Sequence, residues 1–148
     1  MGSAVITRER VLPDTQPSLE DYLAAGSRKG SLLLVEDVPD FRELFQFVLE
    51  REGYRVHVAE NGVECLRRAK TLRPDLIILN YLMPVMDGLT ALQKLKQDCL
   101  TSYLKVVMYS ACGEKLRPLA LEAGAVDYLS SPFEVKTLVL AVERALRR

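Results

Sequence analysis

The chain has 148 residues, 49% of them hydrophobic, with 20 basic and 20 acidic side chains. That length suits one domain around a single buried core, and the balanced charge excludes a general affinity for nucleic acid or membrane surfaces. No apolar run is long enough to span a bilayer, Met1 to Arg10 lacks the apolar stretch of a signal peptide, and Cys65, Cys99 and Cys112 form no paired motif, so a reduced cytoplasmic setting is expected rather than a disulfide framework or a zinc site.

Residues 1–30 differ from the rest. They carry Pro13, Pro17 and Gly26 with few large apolar side chains, and read as an N-terminal arm. Ser18 could cap a short helix carrying Leu19, Tyr22 and Leu23, which would need docking to hold. From Leu32 the pattern is regular. Leu32 to Val35 reads as a buried strand ending at Glu36-Asp37. Pro39 opens a helix, where its missing N–H costs nothing, and Phe41, Leu44, Phe45, Val48 and Leu49 form its apolar face before Gly53 stops it. Arg55 to Ala59 alternates as an outer strand and contains the one histidine, His57, an ordinary strand residue. Gly62 to Leu72 reads as a helix with Cys65, Leu66, Ala69 and Leu72 inward.

Asp75 to Leu79 is the next strand, and Asn80 is the first polar residue beyond it. Leu89 to Gln97 is helical, and Lys105 to Tyr109 is a fourth strand followed by Ser110. The next helix starts late, near Arg117, because Pro118 fits only a first turn. Val126 to Leu129 is the fifth strand, and Glu134 to Leu146 a last helix with Val135, Leu138, Val139, Val142 and Leu146 on one stripe. The sequence stops at Arg148, directly after that helix, with no output module in view and a basic end too small to argue for DNA.

Five strand–helix units with right-handed crossovers predict an α/β fold over residues 31–148, a five-stranded parallel sheet of flavodoxin-like order 2-1-3-4-5. Ligands of such sheets bind beyond the carboxyl ends of the strands. Glu36, Asp37, Asn80, Ser110 and Ser131 all fall there and are expected to converge on one cleft.

These residues carry a resemblance. Glu36-Asp37, the block Asp75 to Gly88 (DLIILNYLMPVMDG), VVMYSA around Ser110, AGAVDYL and Pro132-Phe133 stand in the order and spacing of the CheY-like receiver domain of two-component response regulators. The match covers roughly four fifths of the chain. The resemblance implies a domain that takes a phosphoryl group from a histidine kinase onto a strand-end aspartate, beside a magnesium ion, and is not an enzyme in its own right. Carried over by position, the acceptor slot is Asn80, the acidic pair is Glu36 and Asp37, the metal-facing carbonyl is that of Leu82, the switch residues are Ser110 and Tyr128, and the lysine slot is Ser131. A cis peptide before Pro132 is implied as well.

Two positions depart from the pattern. An amide is not a carboxylate nucleophile, so Asn80 cannot form an acyl phosphate. Ser131 supplies no cation. The expectation is a degenerate pseudo-receiver, stand-alone and acting by protein–protein contact through the face of the fourth helix, fifth strand and fifth helix, with no nucleic acid or membrane partner and with homodimerisation left open. The alternatives are a phosphoacceptor disabled by an Asp-to-Asn substitution, or a cation- or small-molecule-sensing module. No cofactor is required on this reading. Magnesium could still use Asp37, the Asn80 oxygen and the Leu82 carbonyl, against the plainer expectation of a water-filled acidic notch. Tyr109 is read only as core.

Overall fold

The computed structural model describes residues 29–148, so the expected arm helix from Ser18 lies outside the described residues. Five strands, β1 (Ser31–Val35), β2 (Arg55–Ala59), β3 (Leu76–Asn80), β4 (Val106–Ser110) and β5 (Asp127–Ser130), alternate with five helices. The helices are α1 (Pro39–Arg51), α2 (Gly62–Leu72), α3 (Gly88–Gln97), α4 (Arg117–Glu122) and α5 (Val135–Leu146). All strand pairs are parallel and the order is β2-β1-β3-β4-β5, as the alternation of strand and helix patterns requires.

The continuous apolar runs are explained by two cores, one on each face of the sheet. Successive side chains along a strand point to opposite faces. Leu33, Val35, Ile77, Leu79, Val106 and Met108 pack toward α2 and α3. Leu32, Leu34, Leu76, Ile78, Val107 and Tyr109 pack toward α1 and α5. This alternation sets the site. One position beyond Val35 and Leu79, the side chains of Glu36 and Asn80 return to the α1/α5 side, the side that Tyr109 already faces.

Helix ends follow the local chemistry. Pro39 stands at the start of α1, Asn61 caps α2 by accepting the Glu64 N–H, and Asp87 caps α3 by accepting the Thr90 N–H at 2.7 Å. α4 is short and begins at Arg117 with Pro118 in its first turn, preceded by a 3₁₀ turn at Glu114–Leu116. Strands β3, β4 and β5 each begin and end one residue later than the sequence pattern places them, so Asn80 and Ser110 are the last residues of their strands; pairing with the neighbouring strand, rather than the apolar run, sets these limits. His57 is a half-buried residue of β2.

One expectation is corrected. The apolar face expected on α1 is wider than what the sheet covers: Phe45 and Leu49 are buried, but Phe41 is 53% and Leu44 45% exposed. These two side chains sit beside the carboxyl ends of β1 and β3 instead of on the core.

Candidate functional site

Register places Asn80 opposite Tyr109, and Val35 opposite Leu79, so Glu36 comes next to Asn80. The Asn80 amide then lies among oxygens. Its Nδ2 donates toward the Leu82 carbonyl at 3.1 Å, toward Asp37 Oδ1 at 3.3 Å and toward Glu36 Oε2 at 3.4 Å. Those are the oxygens to which the resemblance assigns the metal. The orientation follows from the partners: with no cation among them, an inward amide oxygen would leave four oxygens facing one another.

Glu36 is 2% exposed and fully engaged. Its Oε1 accepts a hydrogen bond from the Tyr109 hydroxyl, and its Oε2 also accepts the Val38 N–H at 3.0 Å. Burial pushes the Glu36 carboxyl above the usual carboxylate range, against the opposing pull of the Tyr109 and Val38 bonds. The Tyr109 phenol is raised well above its ordinary value by its own burial and then by Glu36, so it stays a donor. Asp37 is half-exposed at the mouth. Among the described residues no lysine or arginine pairs with the Glu36 or Asp37 carboxylate; Arg42 donates instead to the main-chain carbonyls of Glu36 at 2.9 Å and Asp37 at 3.4 Å.

Glu36, Asp37, Asn80, Leu82 and Ser131 line one cleft of about 350 Å³, as the strand-end positions imply. Ser110 does not. It is wholly buried beneath, its Oγ accepting the Cys112 N–H at 2.9 Å, because it lies on the opposite face of β4 from Tyr109. The Tyr128 ring is also buried, and its hydroxyl donates to the Gly113 carbonyl at 2.6 Å. The Arg117 guanidinium lies 5.5 Å from the centre of that ring, tying α4 to β5. The Ser131–Pro132 peptide is cis.

Sequence reasoning missed Tyr109, taken as plain core. Its ring is core, packed edge-on against Phe45 and Phe133, but its hydroxyl reaches the acidic pair. The signal that could have found it is its position one residue before Ser110 on the strand beside Asn80. The mouth of the cleft is also more apolar than expected, walled by Phe41, Leu44, Phe45 and Phe133.

Magnesium prefers octahedral oxygen ligands. As the residues are arranged, an N–H group stands at the focus of the oxygens and Glu36 has both oxygens bonded; Asp37, the Leu82 carbonyl and, with the amide turned over, the Asn80 oxygen are the groups that would hold the ion.

The doubly wound sheet with an acidic pair and a strand-end polar residue over its switch point defines a class, and the chain belongs to it: residues 32–143 match the response regulator receiver domain family. Among curated relatives it is 37% identical, over 118 residues, to the alkaline phosphatase synthesis transcriptional regulatory protein PhoP of Bacillus subtilis, covering 79% of this chain and 48% of that protein. The chain thus spans about half the length of the curated relatives it matches. Among solved structures, the receiver domain of a Pseudomonas aeruginosa sensor histidine kinase, with a magnesium ion coordinated in its active-site cleft, superposes with TM-score 0.74 at 28% identity, over 80% of this chain and 98% of that one. The receiver domain of a histidine kinase from Syntrophus aciditrophicus gives 0.73 at 34%, over 80% and 90%. The chain is therefore a receiver domain of two-component signalling, a signalling module. No helix among the described residues is long and apolar enough to cross a membrane.

Proposed function

We propose that this receiver domain signals by protein–protein contact, without forming an acyl phosphate and without needing a metal ion. One observation carries the reading: the Asn80 amide stands at the acceptor position and points its N–H group at the Leu82 carbonyl, Asp37 and Glu36. An amide nitrogen has no lone pair free for attack on phosphorus, and its oxygen is a poor nucleophile. Ser131 at the lysine position offers no charge to steady a transferred phosphoryl group. The magnesium of the Pseudomonas domain is a property of that protein. Here the partial positive charge of the amide N–H group does part of a cation's work.

On this reading Ser110 and Tyr128 keep the positions of the family's switch but report a partner rather than a phosphate. A partner shifts such a switch only through its difference in affinity between the two states. The face it would use is that of α4, β5 and α5, where Leu119, Leu121 and Leu140 stand exposed. The domain works in the cytoplasm, has no catalytic activity of its own, and contacts neither nucleic acid nor membrane.

The test is an amide NMR spectrum recorded in magnesium before and after acetyl phosphate, for the wild type and for the Asn80→Asp, Ser131→Lys double variant. The reading expects an unchanged wild-type spectrum and shifts at the ends of β3, β4 and β5 in the variant. Wild-type shifts at those ends would overturn it.

A further inference from the structure

The cleft has a composition that the phosphoryl chemistry of receiver domains does not explain. Buried Glu36 and half-exposed Asp37 supply its acidic side, and its walls are Phe41, Leu44, Phe45 and Phe133. The aromatic part is continuous: Phe45 lies 6.3 Å from Phe41, 5.8 Å from Tyr109 and 5.9 Å from Phe133, centre to centre. The volume, about 350 Å³, falls at the lower end of the range of small-molecule sites. Phe41 and Leu44 remain half in water although they lie on the apolar face of an amphipathic helix. Their exposure is the cost of leaving this space open, and a ligand stem would cover it.

Charge selects the ligand. Two carboxylates line the cleft and, among the described residues, no lysine or arginine pairs with them, since Arg42 is bonded to main-chain carbonyls. Ser131 is too short and uncharged to serve. Aromatic rings add attraction for a cation. A metal ion would meet the Asn80 N–H group at the ligating focus, as that amide is arranged. An organic ammonium avoids that conflict. It needs hydrogen-bond acceptors rather than a full oxygen shell, and half-exposed Asp37 can supply one from the mouth without displacing Asn80.

We propose that the cleft between α1 and the start of α5 binds a small organic ammonium on a flat or branched apolar stem, with Asp37 taking the charged end and Phe41, Phe45 and Phe133 the stem. The proposal stands whether or not Asn80 can be phosphorylated, so its failure and that of the non-phosphorylated reading are separate results.

The experiment titrates the isotope-labelled full chain with phenethylammonium chloride, followed by amide NMR, beside the neutral analogue 2-phenylethanol and the anion phenylacetate. Saturable shifts are expected at Val38, the Asn80 side-chain amide and Phe133, with 2-phenylethanol at least fivefold weaker and phenylacetate silent. Asp37→Asn should weaken the ammonium at least fivefold and leave 2-phenylethanol unchanged, while Phe41→Ser should weaken both. Each substitution is at a partly exposed position, and the dispersion of amide signals far from the cleft reports that each variant is folded. Equal affinity for ammonium and alcohol, insensitivity to Asp37→Asn, shifts centred elsewhere or no saturable shift would each overturn the proposal.

Discussion

At the scale of single residues, the buried acid Glu36 makes the sharpest claim. Its carboxyl is raised above 4.5 mainly by burial, so the folded state holds a proton there more tightly than the unfolded chain. The sign follows from linkage. The contribution of Glu36 to stability is fully present below its unfolded value and is lost as pH rises through the raised folded value, after which the curve is flat. Acids with lowered values, such as Asp98, which accepts the Leu100 N–H, act oppositely at lower pH. Urea unfolding of wild type and Glu36→Gln across pH should isolate the effect: their stability difference should move in favour of the variant as pH rises from 4.5 and then level off.

Tyr109→Phe removes the hydroxyl that Glu36 Oε1 accepts. Leaving a buried acceptor without its donor costs about 1–3 kcal/mol, and with that bond gone the carboxyl should rise further, extending the pH-dependent loss to higher pH. An unaltered urea midpoint in Tyr109→Phe would show that the hydroxyl does not support the acid. None of this was visible in the sequence, where a tyrosine inside an apolar strand reads as packing; its reach to Glu36 depends on register across two strand pairs, β1 with β3 and β3 with β4.

At the scale of elements, the loop from Tyr81 to Asp87 is held at both ends by glycines that no side chain can replace. A Cβ on Gly88 would lie 2.2 Å from the Asn80 carbonyl oxygen, and one on Gly62 would lie 2.7 Å from that of Met86. The Gly88 N–H donates to Tyr81 and the Gly62 N–H to Met86, so the loop that positions Leu82 is tied to the first turns of both α2 and α3. Within it the Met86 N–H donates to the Pro84 carbonyl, closing a three-residue turn with Val85 at φ +71°. A β-branched residue in that conformation is strained by about 1–2 kcal/mol. Val85 is 80% exposed, so replacing it sacrifices little packing. Val85→Gly should raise stability by up to about 1 kcal/mol after the entropy cost of glycine, read as a higher urea midpoint with an unchanged slope. A lower midpoint would mean that the turn is not strained.

The elements themselves were legible because their signals are local: the apolar runs, Pro39 at a helix start, Pro118 delaying α4 until Arg117. The exposure of Phe41 and Leu44 was not, since periodicity gives the direction of a helix face but not how far the sheet extends beneath it. That overhang is what walls the cleft with aromatic side chains.

At the scale of the whole molecule, a receiver sheet brings Glu36, Asp37, Asn80 and Ser131 to one cleft from three separate stretches of chain. Strand order and the rule that ligands gather at carboxyl ends were enough to bring these four together. Sidedness along β4 was needed to see that Ser110 lies beneath the cleft rather than in it. The central claim is that the framework for phosphoryl transfer is kept while both of the groups that perform it, a carboxylate and an ammonium, are gone. The most direct measurement is the intact mass of the wild-type chain after incubation with acetyl phosphate and magnesium, with the Asn80→Asp, Ser131→Lys variant as the positive control. The account predicts an unchanged wild-type mass and a hydroxylamine-labile phosphoryl adduct on the variant. A labile adduct on the wild-type chain that maps to this cleft would contradict it.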